Sequence, residues 1–291
     1  MQEQLKPLKE QYESIPIPKE LDFIVKQAIK QRKKKTAYLK WVIGIAAAIV
    51  VCTTTGVNSS PALAKALSEV PVVGSIVKVL TFKEVVVDEG NAKATFQVPA
   101  VTNMTNQSLE TALNNKYVEE NKKLYDQFTA EVEKLKQNGG GHLGVNSGYT
   151  VKTDNEQILA IGRYVVNTAG SSSTTFKYDT IDKKNEVLIT LPSLFKDDRY
   201  MSLISDNIKE QMKAQMKADD KKVYWVEGAA AQVIDGFKTI APDQNFYINA
   251  DGKLVLSFNK YEVAPGYMGV IEFIIPTEAI ADDLVSGIYI K

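Results

Sequence analysis

YLKWVIGIAAAIVVCTTTGVNSSPALAKALSEV, residues Tyr38 to Val70, divides this 291-residue chain into two unlike parts. Trp41 to Val57 carries no charged side chain. As a helix rising about 1.5 Å per residue, this run reaches about 26 Å. That is just short of a hydrocarbon core of about 30 Å. Thr36 to Leu39 extend the run if Lys40 snorkels to the interface. Arg32, Lys33, Lys34, Lys35 and Lys40 abut it on one side, and no basic residue follows until Lys65. The positive-inside rule therefore places the N-terminus in the cytoplasm and residues 59–291 outside. A buried helix of a soluble protein is the competing reading, and the abutting basic cluster argues against it.

The same stretch also carries cleavage signals. Ala62-Leu63-Ala64 and Ala64-Lys65-Ala66 are small-x-small triplets behind Pro61, which holds the chain extended. The bonds in question follow Ala64 or Ala66, so a freed fragment begins at Lys65 or Leu67. A removable signal peptide starts at the N-terminus. Here about forty residues come first, so a cleavage-like pattern follows an anchor that sits well inside the chain. Thr53-Thr54-Thr55-Gly56 are poor helix formers, and that end of the anchor should unwind readily. This suits proteases that cut inside membranes, although the threonines could simply sit at the interface. Val51, directly before Cys52, is too bulky for a lipid-attachment box.

Charge separates the two parts. Residues 1–40 hold ten Lys/Arg and five Asp/Glu. Residues 59–291 hold twenty-five against thirty, a net charge of −5. Within the basic head, Leu21, Ile24, Val25, Ala28 and Ile29 recur at helical spacing after Ser14-Ile15-Pro16-Ile17-Pro18. A patterned segment this short suggests a binding task on the cytoplasmic side. Arg32–Lys35 reads as a topology signal and lipid-facing patch rather than a nucleic-acid site.

Catalytic and metal motifs are not found. One cysteine allows no internal disulfide, and Cys52 with His142 cannot make a zinc site. There is no Gly-rich phosphate loop, HExxH or nucleophile elbow. His142, in Gly139–Gly144, reads as an exposed loop residue. Asp197-Asp198, Asp219-Asp220 and Asp282-Asp283 read as helix caps or dipole partners. No cofactor, metal or enzymatic activity is expected.

The outer body reads as α+β. Glu84–Val87 and Ala94–Val98 flank Asp88-Glu89-Gly90-Asn91 as a hairpin. Leu109, Leu113, Tyr117, Leu124, Phe128, Val132 and Leu135 form one stripe of a long helix ending at Asn138–Gly141. Strands follow at Ile158–Asn167 and Thr174–Tyr178, joined by the polar tip Ala169–Ser173, and again at Val187–Leu191. Met201, Ile204, Ile208, Met212 and Met216 mark a second helix whose methionines belong to the core. The last third holds strands at Asn245–Asn249, Lys253–Phe258 and Val270–Ile275. Helices packed on antiparallel strands are the expected architecture. Between the last two strands, Pro265-Gly266 forces a turn that projects Tyr267 outward as a knob; a plain hairpin with Tyr267 packed against it is the competing reading.

FYINADGKLVLSFNKYEVAPGYMGVIEFIIP, Phe246 to Pro276, resembles the C-terminal domain shared by RsiV-type anti-sigma factors and PdaC-type peptidoglycan deacetylases. FKYDTIDKKNEVLITLPSLFKDD, Phe176 to Asp198, matches an earlier part of that region. The deacetylases add a catalytic domain after it, which this sequence does not contain. LKEQYESIPIPKELDFIVKQAIKQ, Leu8 to Gln31, resembles the RsiV-type cytoplasmic segment, and VPVVGSIVKVLTF, Val70 to Phe82, looks familial too. The resemblance implies a single-pass protein of the cell membrane. Residues 1–40 would bind a SigV-like sigma factor through Leu21, Ile24, Val25 and Ile29. Residues 41–57 would span the membrane, and residues 58–81 would carry the signal-peptidase-like site. Residues 82–291 would form an extracytoplasmic domain that senses lysozyme, with the loop of Pro265 and Tyr267 at the contact; the tip Ser171-Ser172-Ser173, taken at Ser172, is a second candidate from its position. Lysozyme binding would let signal peptidase cut first and a membrane-embedded site-2 protease cut second. The alternative is a membrane-tethered wall- or glycan-binding protein with no signalling role. A soluble hydrolase is the remaining alternative and has no motif to support it.

Overall fold

A computed structural model describes residues 77–227 and 236–291, all within the unit Ala66–Lys291. The stripe expected to bind a sigma factor, the apolar run 41–57 and the expected cleavage residues Ala62 to Leu67 lie outside the described residues. Among the described residues, no helix is long and apolar enough to cross a membrane.

A six-stranded sheet runs in the order β1-β2-β3-β4-β5-β6. Its hairpin β1 (Lys78–Asp88) and β2 (Ala92–Thr102) pairs Val85 with Phe96 and Val87 with Ala94. Gly90 takes φ +76° in the turn, and its N–H donates to Asp88 Oδ1 at 3.1 Å. The hairpin falls where the alternation of Val85, Val87, Ala94 and Phe96 placed it, but both strands run further.

The helix α1 (Gln107–Gln137) carries the chain from β2 to β3 (Leu143–Asp154). Asn106 caps it by accepting from Leu109 N–H at 3.1 Å. The expected stripe does the packing: Leu113, Tyr117, Phe128 and Val132 are buried, and Leu109, Leu124 and Leu135 are partly so. They cover one face of the sheet, against Phe96, Val145, Leu159, Ile161 and Ile181.

This helical crossover corrects the all-antiparallel expectation. β2 and β3 are parallel, with Ala94 beside Val145 and Phe96 beside Ser147. A parallel pair needs a long connection, and α1 supplies it. β4 (Ile158–Ala169) and β5 (Ser171–Asp182) complete a long antiparallel hairpin. Its turn is Gly170 alone, at φ +79°. Ser171, Ser172 and Ser173 therefore belong to β5, opposite Ala169, Thr168 and Asn167, rather than to a loose tip. β6 (Val187–Ile189) closes the edge.

The remainder packs a helix on a small sheet. β7 (Phe246–Ile248), β8 (Leu254–Phe258) and β9 (Ile271–Ile275) pair antiparallel. The helix α2 (Arg199–Ala218) lays Ile204, Ile208 and Met212 against Leu256, Phe258 and Phe273. The methionine stripe is core, as its spacing indicated.

The acidic pairs are only partly caps. Asp197 accepts from Arg199 N–H at 2.9 Å in the first turn of α2. Asp219 stands at the C-terminal end of α2, where its carboxylate accepts from Lys221 N–H at 3.0 Å. Asp283 is buried and pairs with Arg199 at 3.0 Å, tying the C-terminal segment to α2. His142 is exposed, as expected.

A charged cluster lies under α1. Arg163 on β4 pairs with Asp179 on β5 at 3.0 Å and with Glu120 on α1. Lys116 reaches Asp179 at 2.8 Å, and Lys177 reaches Glu120 at 3.1 Å. Burial pushes the Glu120 carboxyl up, but Arg163 and Lys177 outweigh it and hold it below the usual glutamate range. A depressed carboxyl stabilises the fold above its ordinary pKa, and that contribution is lost as pH falls through the lowered value. Acidification below about pH 4 should therefore weaken this domain. Glu120→Gln should lose less stability between pH 6 and pH 3 than wild type in urea titrations. An identical loss would show that Glu120 adds nothing to acid sensitivity.

Candidate functional site

The loop between β8 and β9, Asn259 to Val270, is built around Glu262. Its carboxylate accepts from Asn259 N–H at 2.6 Å and from Gln244 Nε2 at 3.2 Å. Val263 and Ala264 are buried and fasten the loop to the core. Pro265 then leads into a 3-10 turn, Gly266–Met268. Tyr267 stands on this turn 68% exposed, the most exposed large apolar side chain among the described residues. The expectation of an outward knob is met.

Three contacts make the knob rigid. Tyr267 hydroxyl donates to Lys221 C=O at 2.9 Å. Met268 sulfur accepts from Val223 N–H at 3.2 Å. Trp225 N–H donates to Val263 C=O at 2.8 Å. The segment after α2 thus braces the loop and brings Asp219 and Asp220, both exposed, near the knob. Gly269 ends the turn at φ +71°, ψ −146°, a conformation open essentially to glycine.

Ser172 belongs to the same corner. Lys260 Nζ donates to Ser172 C=O at 2.6 Å and to its Oγ at 2.9 Å. The same ammonium lies 5.1 Å from the centre of the Tyr261 ring. Tyr261 has φ +72°, unusual for a bulky residue and a cost held by its surroundings. Its ring lies against Gly266: a Cβ there would stand 2.2 Å from the ring. An unbroken run of contacts therefore joins Ser172, Lys260, Tyr261, Gly266 and Tyr267. Sequence reasoning named Ser172, Pro265 and Tyr267 but missed Lys260 and Tyr261. The spacing of 88 residues between Ser172 and Lys260 leaves no local signal for their contact.

Gly266→Ala should push the Tyr261 ring out of place without touching the core. Any ligand held by this corner should bind about tenfold more weakly. Unchanged affinity would show that the Tyr261 ring is not part of the contact surface.

Among the described residues, no group of three or more His, Cys, Asp or Glu is placed to hold a metal ion.

The chain is 46% identical over all 291 of its residues, and over the whole of the relative, to the anti-sigma-V factor RsiV of Bacillus subtilis. It belongs to the RsiV family. Residues 192–278 of this RsiV-type chain also match the DUF3298 family, described as a protein of unknown function. Two solved DUF3298 proteins share the fold. One, from Pseudomonas aeruginosa, aligns with a TM-score of 0.55 at 12% identity, covering 75% of this chain and 98% of its own. The other, from Bacteroides fragilis, aligns at 0.50 and 17% identity, covering 72% and 94%. The matched family region holds α2, the small sheet and the Tyr267 loop.

Proposed function

We propose that this RsiV-type chain is a membrane-spanning anti-sigma factor that releases its sigma factor when lysozyme binds outside. The observation that carries the anti-sigma role is the end-to-end identity with an anti-sigma-V factor. Residues 1–40 hold a SigV-like sigma factor through the stripe Leu21, Ile24, Val25 and Ile29. Residues 41–57 span the membrane. The Ser172–Tyr267 corner is the lysozyme contact, with Pro265 fixing the turn. Its support is physical: an exposed tyrosine offers a large contact area at small entropic cost. Held rigid by Lys221 C=O and Met268, it suits insertion into a cleft. The net charge of −5 over residues 59–291 favours encounter with a basic protein and makes association salt-sensitive. Signal peptidase then cuts after Ala64 or Ala66, and a site-2 protease cuts within the anchor. The role is regulatory, with no catalytic step in the chain itself.

Ala64 belongs to both triplets, so Ala64→Trp should block either cut by bulk. Lysozyme should then release no soluble outer fragment, read by blotting and mass spectrometry of the fragment's N-terminus. Continued release beginning at Lys65 or Leu67 would remove the assignment. On the other side, Ile24→Asp with Ile29→Asp should place unpaired charge at the sigma interface. A reporter for the sigma factor should then be on without lysozyme. A reporter that stays silent in that double variant would remove the stripe from the interface.

A further inference from the structure

The six-stranded sheet packs α1 on one face only. On the other face, β2, β3 and β4 surround an open cavity of about 240 Å³. Register aligns the side chains there in cross-strand rows. Lys93, Gly144 and Thr168 make one row; Thr95, Asn146 and Val166 make the next. Gly144 lowers the floor of the cavity. Gly148 follows four residues later, and the Tyr164 side chain lies across it: a Cβ on Gly148 would stand 2.6 Å from the tyrosine hydroxyl oxygen. Phe176 packs beside Tyr164 with ring centres 5.8 Å apart. A partly exposed aromatic ribbon thus borders a glycine-floored depression.

The polar groups indicate what fits. The Thr95, Asn146 and Thr168 side chains make no hydrogen bond within the described residues. They are uncharged and offer both donors and acceptors. The charged groups at the margin are already engaged: Lys93 pairs with Asp88 at 3.3 Å, and Glu84 accepts from Gln97 at 3.0 Å. The face therefore presents free neutral donors and acceptors, one apolar side chain at Val166 and a flat ring wall. An anion finds no free cation in the cavity, and an apolar ligand would strand three polar groups. Hydroxyl groups round the edge of a ring, with an apolar ring face, match this pattern.

We propose that this face is a saccharide-binding groove for an uncharged pyranose chain. One sugar ring sits in the cavity over Gly144 and bonds Thr95, Asn146 and Thr168. The neighbouring ring stacks on Tyr164. The groove is separate from the Tyr267 knob in its residues and does not depend on lysozyme recognition.

The test is calorimetry on the full-length chain with two neutral probes, chitotetraose and cellotetraose, at millimolar concentration. Saturable binding of at least one probe is expected. Asn146→Ala combined with Thr168→Val should weaken it about tenfold, since each removes one exposed hydrogen-bonding group. Tyr164→Ala should weaken it comparably. The Asn146 and Thr168 side chains are exposed, so the double variant decides the matter even if Tyr164→Ala fails to fold. Absence of saturable binding to both sugars would overturn the proposal. So would wild-type affinity in the folded double variant, or binding of a polyalanine peptide at this face with no binding of either sugar.

Discussion

Tyr267→Ala should weaken lysozyme binding by about 2 kcal/mol or more, some thirtyfold, while leaving the fold intact. The size follows from where the ring stands. It is 68% exposed in the free domain, so its contact area is available to a partner. It is also held before binding, by its hydroxyl bond to Lys221 C=O and by Met268 on Val223. A pre-ordered aromatic loses little entropy on docking, which is the setting in which truncation costs most. The fold should survive because the buried anchors of the loop are Val263 and Ala264. Tyr267→Phe separates the two roles of the side chain. It keeps the ring and loses only the Lys221 bond, so its loss should be well under half that of alanine. Calorimetry on the full-length chain reads both variants. Wild-type affinity in folded Tyr267→Ala would take this knob out of the lysozyme contact.

Asp179→Ala should be the most damaging polar substitution in the body, costing about 3 kcal/mol or more of stability. Asp179 is 2% exposed and joins three elements through two cations, Arg163 on β4 and Lys116 on α1. Burial lowers the Arg163 pKa, but Asp179 and then Glu120 outweigh it and hold the guanidinium charged. Without Asp179, a buried cation keeps only Glu120, and Lys116 loses its partner. Truncating one member of a buried pair costs far more than the pair itself contributes. Asp179→Asn should cost less, because the amide oxygen still accepts from Arg163. Urea unfolding gives the ordering. Equal midpoints for alanine and wild type would mean that Arg163 is satisfied by Glu120 alone.

The periodic elements could be read directly from residue order. The α1 stripe from Leu109 to Leu135 and the α2 stripe from Met201 to Met216 bury one face each, and such spacing survives in any tertiary setting. β7, β8 and β9 carry runs of apolar residues bounded by Asp251-Gly252 and Pro265-Gly266, so they too were legible. β3 was not. In LGVNSGYTVKTD one face is Gly144, Asn146 and Gly148, which looks like a loop, and the other carries Ser147 between Val145 and Tyr149. What makes it a strand is its position between β2 and β4, a long-range condition that residue order does not display. The parallel pairing with β2 was hidden for the same reason. Of the candidate corner, Pro265-Gly266 announced the turn, while the Lys260–Ser172 clamp arises only when β5 and the β8–β9 loop meet. The buried pairing of Asp283 with Arg199 is likewise tertiary and escaped a reading based on neighbours.

The proposed coupling runs through one chain, from lysozyme outside to a sigma factor inside. The most direct measurement is co-purification of the full-length chain, tagged at its N-terminus, from native membranes before and after lysozyme addition, with a catalytically inactive lysozyme to exclude effects of wall cleavage. A sigma factor should be bound to the tagged segment beforehand and lost afterwards. A sigma factor that never co-purifies, or that stays bound in full after lysozyme, would contradict it.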